Sequence, residues 1–108
     1  MVEYTLRLDS IFNSLADPTR RDILTRVARR EYSVGELVAC YDISFAAISK
    51  HLKVLEGARL IHKRKEGKQR MVTLAPGALR SADEYLEQYR QMWQGRYDKL
   101  DNLINERD

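Results

Sequence analysis

The segment that most constrains this 108-residue chain runs from Ser44 to Leu74 and reads SFAAISKHLKVLEGARLIHKRKEGKQRMVTL. It contains eight basic and two acidic residues, whereas segments 1–43 and 76–108 are each slightly acidic, so the net charge of +3 is concentrated in one patch. Because every neutralised phosphate releases condensed counterions, a polyanion is the natural partner of such a patch. A charged surface that only contacts solvent is the alternative interpretation.

The first part of this segment predicts an amphipathic helix over about 45–56, capped by the side chain of Ser44. At 100° per residue, one face is aliphatic and the opposite face is small, hydroxylic and cationic. The aliphatic face holds Ile48, Leu52 and Leu55, and the opposite face holds Ala46, Ser49, Lys50 and Lys53. Small residues let the backbone approach a partner closely, and the lysines supply positive charge. These features favour a DNA recognition helix.

A shorter helix over about 34–40 precedes it, opened by a capping box of Ser33 and Glu36. Residues 41–43 form a short turn between the two helices. A short helix, a tight turn and a second helix opened by Ser have the spacing of a helix-turn-helix, which we place at about 33–56.

The second part of the segment predicts a two-stranded hairpin over about 60–74. Residues 60–62 and 71–74 are its strands, and Glu66-Gly67 is its turn. A basic hairpin beside a recognition helix is typical of a wing that contacts phosphates or the minor groove. Phosphate contacts are therefore predicted for Lys53, Arg64, Lys65, Lys68 and Arg70. The alternative is a solvated hairpin whose charges serve solubility.

Two helices precede the helix-turn-helix, at about 4–15 and 18–30, the second opened by Asp17 as N-cap and Pro18 at its first position. Periodicity predicts that the second helix buries Ile23, Leu24 and Val27. Its arginines are predicted to be exposed: Arg20, Arg21, Arg26, Arg29 and Arg30.

Pro76 opens the longest predicted helix, about 77–105, in which large apolar side chains recur every seven residues. Such a seam, sustained over four heptads, is longer than a domain of this size covers by itself. We therefore predict a homodimer held by the first and last helices, with the aromatic stripe as dimer core. The predicted interface residues are Leu8, Phe12, Leu79, Leu86, Tyr89, Trp93, Tyr97 and Leu100.

The length and composition predict a single domain over 1–108, mainly α with a small β-hairpin. No apolar run approaches the roughly 20 residues that cross a bilayer, and the N-terminus does not have the pattern of a signal peptide. The single cysteine, Cys40, excludes an internal disulfide and fits a reducing cytoplasm. No catalytic set of Ser, His and Asp and no Gly-rich phosphate loop is present, so an enzyme is not predicted.

The order of these elements resembles the ArsR family of winged-helix repressors over almost the whole chain. The matching motifs are LADPTRR at 15–21, VGEL at 34–37, ISKHLKVL at 48–55, LI at 60–61 and GK at 67–68. The resemblance implies a homodimer that binds a roughly palindromic operator on double-stranded DNA, represses transcription and is released by a signal.

The chain departs from the family at the positions that sense metals. The family's thiolate motif is Glu-Leu-Cys-X-Cys, but this chain has Val38 at the first cysteine and keeps only Cys40. Soft metals need two or more thiolates, and the last helix contains no histidine, so no metal site and no cofactor are predicted. Cys40 is interpreted as a small buried hydrophobe, with a redox-sensing thiol as the alternative. A small-molecule or redox effector remains open.

The base contacts are assigned to the N-terminal half of helix 45–56, which Ser44 opens. Lys50 and Ser49 are placed for base edges, with Lys50 able to reach guanine, and Ala46 for a thymine methyl. Many family members carry Gln where this chain has Phe45, which either contacts a thymine methyl or packs against the turn.

Two other classes of function remain open from the sequence. One is a sequence-tolerant architectural or RNA-binding winged helix, and the other is a protein-interaction module built on the aromatic helix.

Overall fold

The computed structural model describes residues 2–106, with side chains for 7–105, and in this range the chain forms five helices and three strands. In chain order they are α1 (Val2–Leu15), α2 (Pro18–Arg29), β1 (Tyr32–Ser33), α3 (Val34–Ala39), α4 (Phe45–Gly57), β2 (Ile61–Glu66), β3 (Gln69–Leu74) and α5 (Pro76–Glu106). The predicted helices are all present, and the architecture is a helix-turn-helix followed by a wing. Residues 1, 107 and 108 of the predicted domain lie outside the described residues.

Three helices begin at the capping residues that the sequence predicts. The side chains of Asp17, Ser33 and Ser44 each accept a hydrogen bond from the backbone N–H three residues later, at 3.0–3.1 Å. Glu36 completes a capping box because its Oε1 accepts from the backbone N–H of Ser33 at 2.9 Å. These bonds satisfy N–H groups that have no partner inside the helix, so the starts of α2, α3 and α4 are fixed locally.

The core lies where α2, α3 and α4 meet the base of the hairpin. The predicted inner faces of α2 and α4 are buried as expected, and β2 and β3 contribute Ile61 and Val72. The side chains that are at most 1% exposed include Ile11, Ile23, Leu37, Ile48, Leu52, Leu55, Leu60, Ile61 and Val72. This packing fixes α4 with Ser49, Lys50 and Lys53 on its outer side.

The sheet has three strands in the order β1-β3-β2, not the two that the sequence predicts. β1 is antiparallel to β3, with Tyr32 opposite Val72, and a two-residue strand of this kind has too little periodicity to be recognised. The turn is also one residue later than predicted. Glu66 pairs with Gln69, so Gly67 and Lys68 form the loop, and the φ of +62° at Gly67 is one that glycine adopts freely.

Arg20 and Arg26 are half-buried, so the prediction that all the arginines of α2 are exposed is wrong for these two. Arg20 donates from Nε to the backbone oxygen of Ser14 at 2.8 Å and from Nη2 to that of Asn13 at 3.1 Å. The last carbonyls of a helix have no partner within it. The Arg20 guanidinium supplies one for the end of α1 and also lies 3.3 Å from Nδ1 of His51 in α4.

Cys40 is only partly buried, which corrects its interpretation as a buried core residue. It is the C-cap of α3, at the edge of the core, and its thiol donates to the backbone oxygen of Glu36 at 3.2 Å. The end of a helix places a side chain near the surface, and periodicity alone does not reveal where α3 ends.

Helix α5 packs on the rest of the chain only through its first turns, where Ala82 is buried and Ala78 and Leu79 contact the core. Every residue from 88 to 105 is exposed. The molecule measures 64 × 36 × 21 Å because this helix extends beyond the core. None of the helices described by the structure is long and apolar enough to cross a membrane.

Candidate DNA-binding surface

The outer face of α4 carries the residues that the sequence assigns to DNA bases. Ala46, Lys50 and Lys53 are exposed and Ser49 is half-buried, whereas the opposite face is in the core. Phe45, the first residue of α4, is 62% exposed, so it does not pack fully against the preceding turn. The N-terminal half of α4 therefore presents an aromatic ring, a methyl group, a hydroxyl and an ammonium group to a partner.

A groove of about 710 Å³ separates α4 from the hairpin. Phe45, Ser49 and Lys53 line it from the helix, and Lys68 and Arg70 line it from the hairpin. The start of α3 closes one end through residues 33–35. Five of the residues predicted to contact DNA thus meet in one concave surface, while Lys50 and Ala46 do not line this groove.

The alternation of side chains along the strands explains why the hairpin cations face α4. Lys63 pairs with the buried Val72, and Lys65 pairs with Arg70, so these side chains share the face that covers the core. Lys63 was missed in the sequence, although strand alternation from Ile61 identifies its face. Its ammonium lies 3.5 Å from Oε1 of Glu56, so its charge is partly neutralised within the groove.

Arg64 differs from the other predicted phosphate ligands because two carboxylates surround its guanidinium. It binds Glu31 and lies 2.9 Å from Oε2 of Glu66. The hydrogen bond with Glu31 is the main reason that the pKa of Arg64 is raised above its usual value. Arg64 borders a small depression together with Lys65 and Arg70, but its charge is already compensated there.

The other cations predicted to contact DNA have no such compensation among the described residues. Within the described residues, no ion pair or side-chain hydrogen bond is formed by Lys50, Lys53, Lys65, Lys68 or Arg70. Exposed cations without carboxylate partners produce an uncompensated positive field, which attracts phosphates at long range. This field covers the N-terminal and central parts of α4 and the tip of the hairpin.

The described residues contain no group of three or more His, Cys, Asp or Glu side chains placed to hold a metal ion. Cys40 lies beside the backbone of Glu36, and His51 lies 3.8 Å from the carboxylate of Asp17 and 3.3 Å from the guanidinium of Arg20.

Comparison with known proteins identifies the family. The profile of the bacterial regulatory protein arsR family matches residues 17–63, which span α2, α3, α4 and the start of β2. The chain is also 40% identical over 81 residues to the HTH-type transcriptional regulator Rv2034 of Mycobacterium tuberculosis, covering 75% of this chain and 76% of that protein. The chain belongs to the arsR family.

A second relative and a solved structure are also similar, and the similarity to the solved structure extends over nearly the whole fold. The transcriptional repressor SdpR of Bacillus subtilis is 32% identical over 60 residues, which are 56% of this chain and 67% of SdpR. An ArsR-like transcriptional regulator from Rhodococcus sp. RHA1 has a structure that superposes with a TM-score of 0.78 at 27% identity, covering 98% of this chain and 97% of that one. This arsR-family protein is therefore a DNA-binding transcriptional regulator and acts without catalysis.

Proposed function

We propose that this arsR-family regulator is a repressor that binds a two-fold symmetric operator as a homodimer. The observation that carries the proposal is the joint surface of α4 and the hairpin, where the cations without carboxylate partners converge. We further propose that it acts in the cytoplasm, where an operator would be accessible to it.

The exposed face of α5 supports the dimer. Eight large apolar side chains on this helix are 39–62% exposed: Leu86, Tyr89, Met92, Trp93, Tyr97, Leu100, Leu103 and Ile104. Burying such a side chain completely contributes about 1.5–3 kcal/mol, and about half of each is still exposed, so a second copy that covers this face gains apolar burial along the whole helix. Phe12 of α1 extends the face, because its ring centroid lies 5.9 Å from that of Tyr85.

Two of the eight predicted interface residues have another role within a single chain. Leu8 is 6% exposed, and Leu79 packs partly against the core. In the proposed dimer these two residues pack beneath the interface. The interface itself is formed by the side chains of Phe12, Leu86, Tyr89, Trp93, Tyr97 and Leu100.

In the proposed complex, the two α4 helices enter successive major grooves about 34 Å apart. Lys50 and Ser49 meet base edges, with Lys50 donating to guanine, and Ala46 and Phe45 provide apolar contact for thymine methyl groups. Lys53, Lys65, Lys68 and Arg70 bind phosphates and hold the register. Arg64 is proposed as a weaker contact, because Glu31 and Glu66 compensate its charge.

Selection of bound sequences from random DNA, at stated salt concentrations, tests this proposal. We expect a consensus with two-fold symmetry and half-sites about 10–10.5 base pairs apart. Enrichment of a consensus without two-fold symmetry would argue against a homodimer that binds two half-sites. No enrichment above random DNA would instead support a sequence-tolerant architectural or RNA-binding protein.

Two lysine variants separate base reading from phosphate binding. Lys50→Ala should relax discrimination at one base pair, by about 1–3 kcal/mol, because it removes a contact with a base edge. Lys68→Ala should weaken binding to all DNA alike and lower the salt slope by about one. Equal losses on operator and random DNA for Lys50→Ala would eliminate its base-reading role.

The oligomeric state requires a separate measurement. Sedimentation or light scattering should give twice the 12.6 kDa mass of the chain. Replacing Trp93, which is 45% exposed, by Glu should give monomers, because an ionised carboxylate would be buried in the interface. Gln91→Glu is the matched control and should leave the dimer intact, because Gln91 is also exposed on α5 but is not in the predicted seam.

A further inference from the structure

A second cleft, of about 320 Å³, lies at the base of the hairpin, where α1, the end of α4 and the start of α5 meet. Its floor is apolar and includes Ile11, Ala58 and Ala78, and three nitrogen-rich side chains line it as well: Arg7, Arg59 and His62. Among the residues whose side chains are described, no acidic residue lines it. Its volume is near the lower end of the range for small-molecule sites, about 300–1,000 Å³.

Arg7 and Arg59 supply positive charge to this cleft. Arg7, Arg59 and His62 form no ion pair or hydrogen bond through their side chains within the part of the chain that is described. By contrast, three other guanidinium groups are engaged: Arg20 donates to backbone carbonyls, Arg26 binds Asp22, and Arg64 binds Glu31. The cleft therefore combines two guanidinium groups without a partner among the described residues with an apolar floor.

The backbone at Arg59 provides an independent observation. Its φ is +61°, in the left-handed region where glycine is the usual residue after a helix. Among the described residues it is the only non-glycine with positive φ. Such a conformation persists only where the surrounding structure holds it, and the Arg59 side chain that is held there lines the cleft.

The cleft is separate from the DNA-binding surface. His62 is at the base of β2, and the Gly67 turn is at the opposite end of this strand, about five residues or roughly 16 Å away. None of the residues that line the groove between α4 and the hairpin also lines this cleft. A ligand here would therefore not compete directly with DNA.

We propose that this cleft binds a small amphiphilic carboxylate, with its carboxylate at Arg7 and Arg59 and its hydrocarbon body against Ile11, Ala58 and Ala78. A guanidinium binds a carboxylate through two parallel hydrogen bonds, which makes Arg the appropriate residue for this anion. The apolar floor accepts a short chain or ring but offers nothing to a hydrated inorganic anion. The ligand would contact α1, α4 and α5 together, so its binding is coupled to the orientation of the recognition helix. This coupling rests on the proposed DNA-binding function.

Calorimetric titration of the whole protein with octanoate, without DNA, tests the binding. We expect saturable binding with one site per chain, and affinity at least tenfold lower in Arg59→Gly and in Arg7→Ala. Arg29→Ala removes an exposed arginine of α2 that does not line the cleft and should bind octanoate like the parent. Absence of saturation, or equal loss in all three variants, would overturn the proposed site.

Two further titrants define the ligand chemistry. Octan-1-ol has the same chain without the charge, and inorganic phosphate has the charge without the chain; both should bind at least tenfold more weakly than octanoate. Phosphate binding as tight as octanoate would refute the amphiphilic ligand, and octanol binding as tight would remove the role of the arginines.

A separate experiment measures the affinity for a selected operator with and without octanoate. We expect a change of at least fivefold in the parent and none in Arg59→Gly. Calorimetric binding without a change in DNA affinity would refute the coupling and leave the site intact. A protein that binds octanoate but enriches no DNA sequence would instead contradict the proposed repressor, so the two failures are distinguishable.

Discussion

The strained backbone at Arg59 predicts that Arg59→Gly stabilises the protein, although the substitution removes a charged side chain. Helix α4 ends in a Schellman motif. The N–H of Arg59 donates to the oxygen of Glu56, and that of Leu60 donates to the oxygen of Leu55, both at 3.0 Å. Leu55 and Leu60 are fully buried, so the chain has no freedom to relieve the φ of +61° between them.

The magnitude follows from two opposing effects. An L-residue in the left-handed region costs about 1–2 kcal/mol relative to the right-handed one, and glycine removes that cost. Glycine also increases the conformational freedom of the unfolded chain, which destabilises the fold by about 0.4–1 kcal/mol. The net expectation for Arg59→Gly is an increase of about 0.5–1 kcal/mol in the free energy of unfolding. For a domain of this size that corresponds to a rise of about 2–8 °C in Tm.

Urea denaturation of the parent, Arg59→Gly and Arg59→Ala at one fixed chain concentration measures this effect. Arg59→Ala loses the same guanidinium but keeps the left-handed cost, so we expect its midpoint to stay close to that of the parent. The difference between the Gly and Ala variants isolates the backbone contribution. A Gly variant that is no more stable than the Ala variant would refute the reasoning, because the strain would then not be stored at this residue.

Three other changes test the fold. Gly57 lies in the last turn of α4 with open space around the position of an added Cβ, so Gly57→Ala should raise the free energy of unfolding by about 0.5–1 kcal/mol, measured by urea denaturation. Ser33→Ala removes half of the capping box and should lower the free energy of unfolding by about 1 kcal/mol. Ser10→Ala, at an exposed position of α1, is the control and should be nearly neutral. Backbone hydrogen bonds from the starts of α2 and α3 lower the pKa values of Asp17 and Glu36. Their stabilising contribution is therefore complete above their unfolded pKa values and is lost as pH falls through the folded ones, so Tm should fall below about pH 4.5; a Tm that stays constant down to pH 3 would contradict this.

The elements that the sequence predicts well are those whose signals are local. Asp17, Ser33 and Ser44 cap the helices that they were assigned to, because an N-cap bond reaches only three residues along the chain. The inner face of α4 follows from the helical period, since Ile48, Leu52 and Leu55 are all buried. The sequence therefore predicts correctly both this helix and the face that it exposes.

The features that the sequence did not reveal depend on contacts between distant segments. β1 is a strand only because Val72 of β3 lies opposite Tyr32, 40 positions away along the chain. Arg64 has the same local pattern as its basic neighbours, and only the fold brings Glu31 to its guanidinium. Arg20 follows the pattern of an exposed arginine, but the end of α1 provides carbonyls that bind it. Charge patterning predicts a basic surface, but it does not distinguish cations that have carboxylate partners from those that have none.

Helix α4, the proposed recognition helix, is held near its middle and at its C-terminal end by contacts that reach α1. Near its middle, His51 lies 3.3 Å from Arg20, whose guanidinium also binds the last carbonyls of α1. At its C-terminal end, Ala58 and Arg59 line the cleft that α1 and α5 complete. A movement of α1 relative to the core must therefore break the Arg20 bonds or move α4 with it. Because α1 and α5 also carry the proposed dimer interface, the spacing between the two recognition helices is mechanically linked to the packing at this cleft.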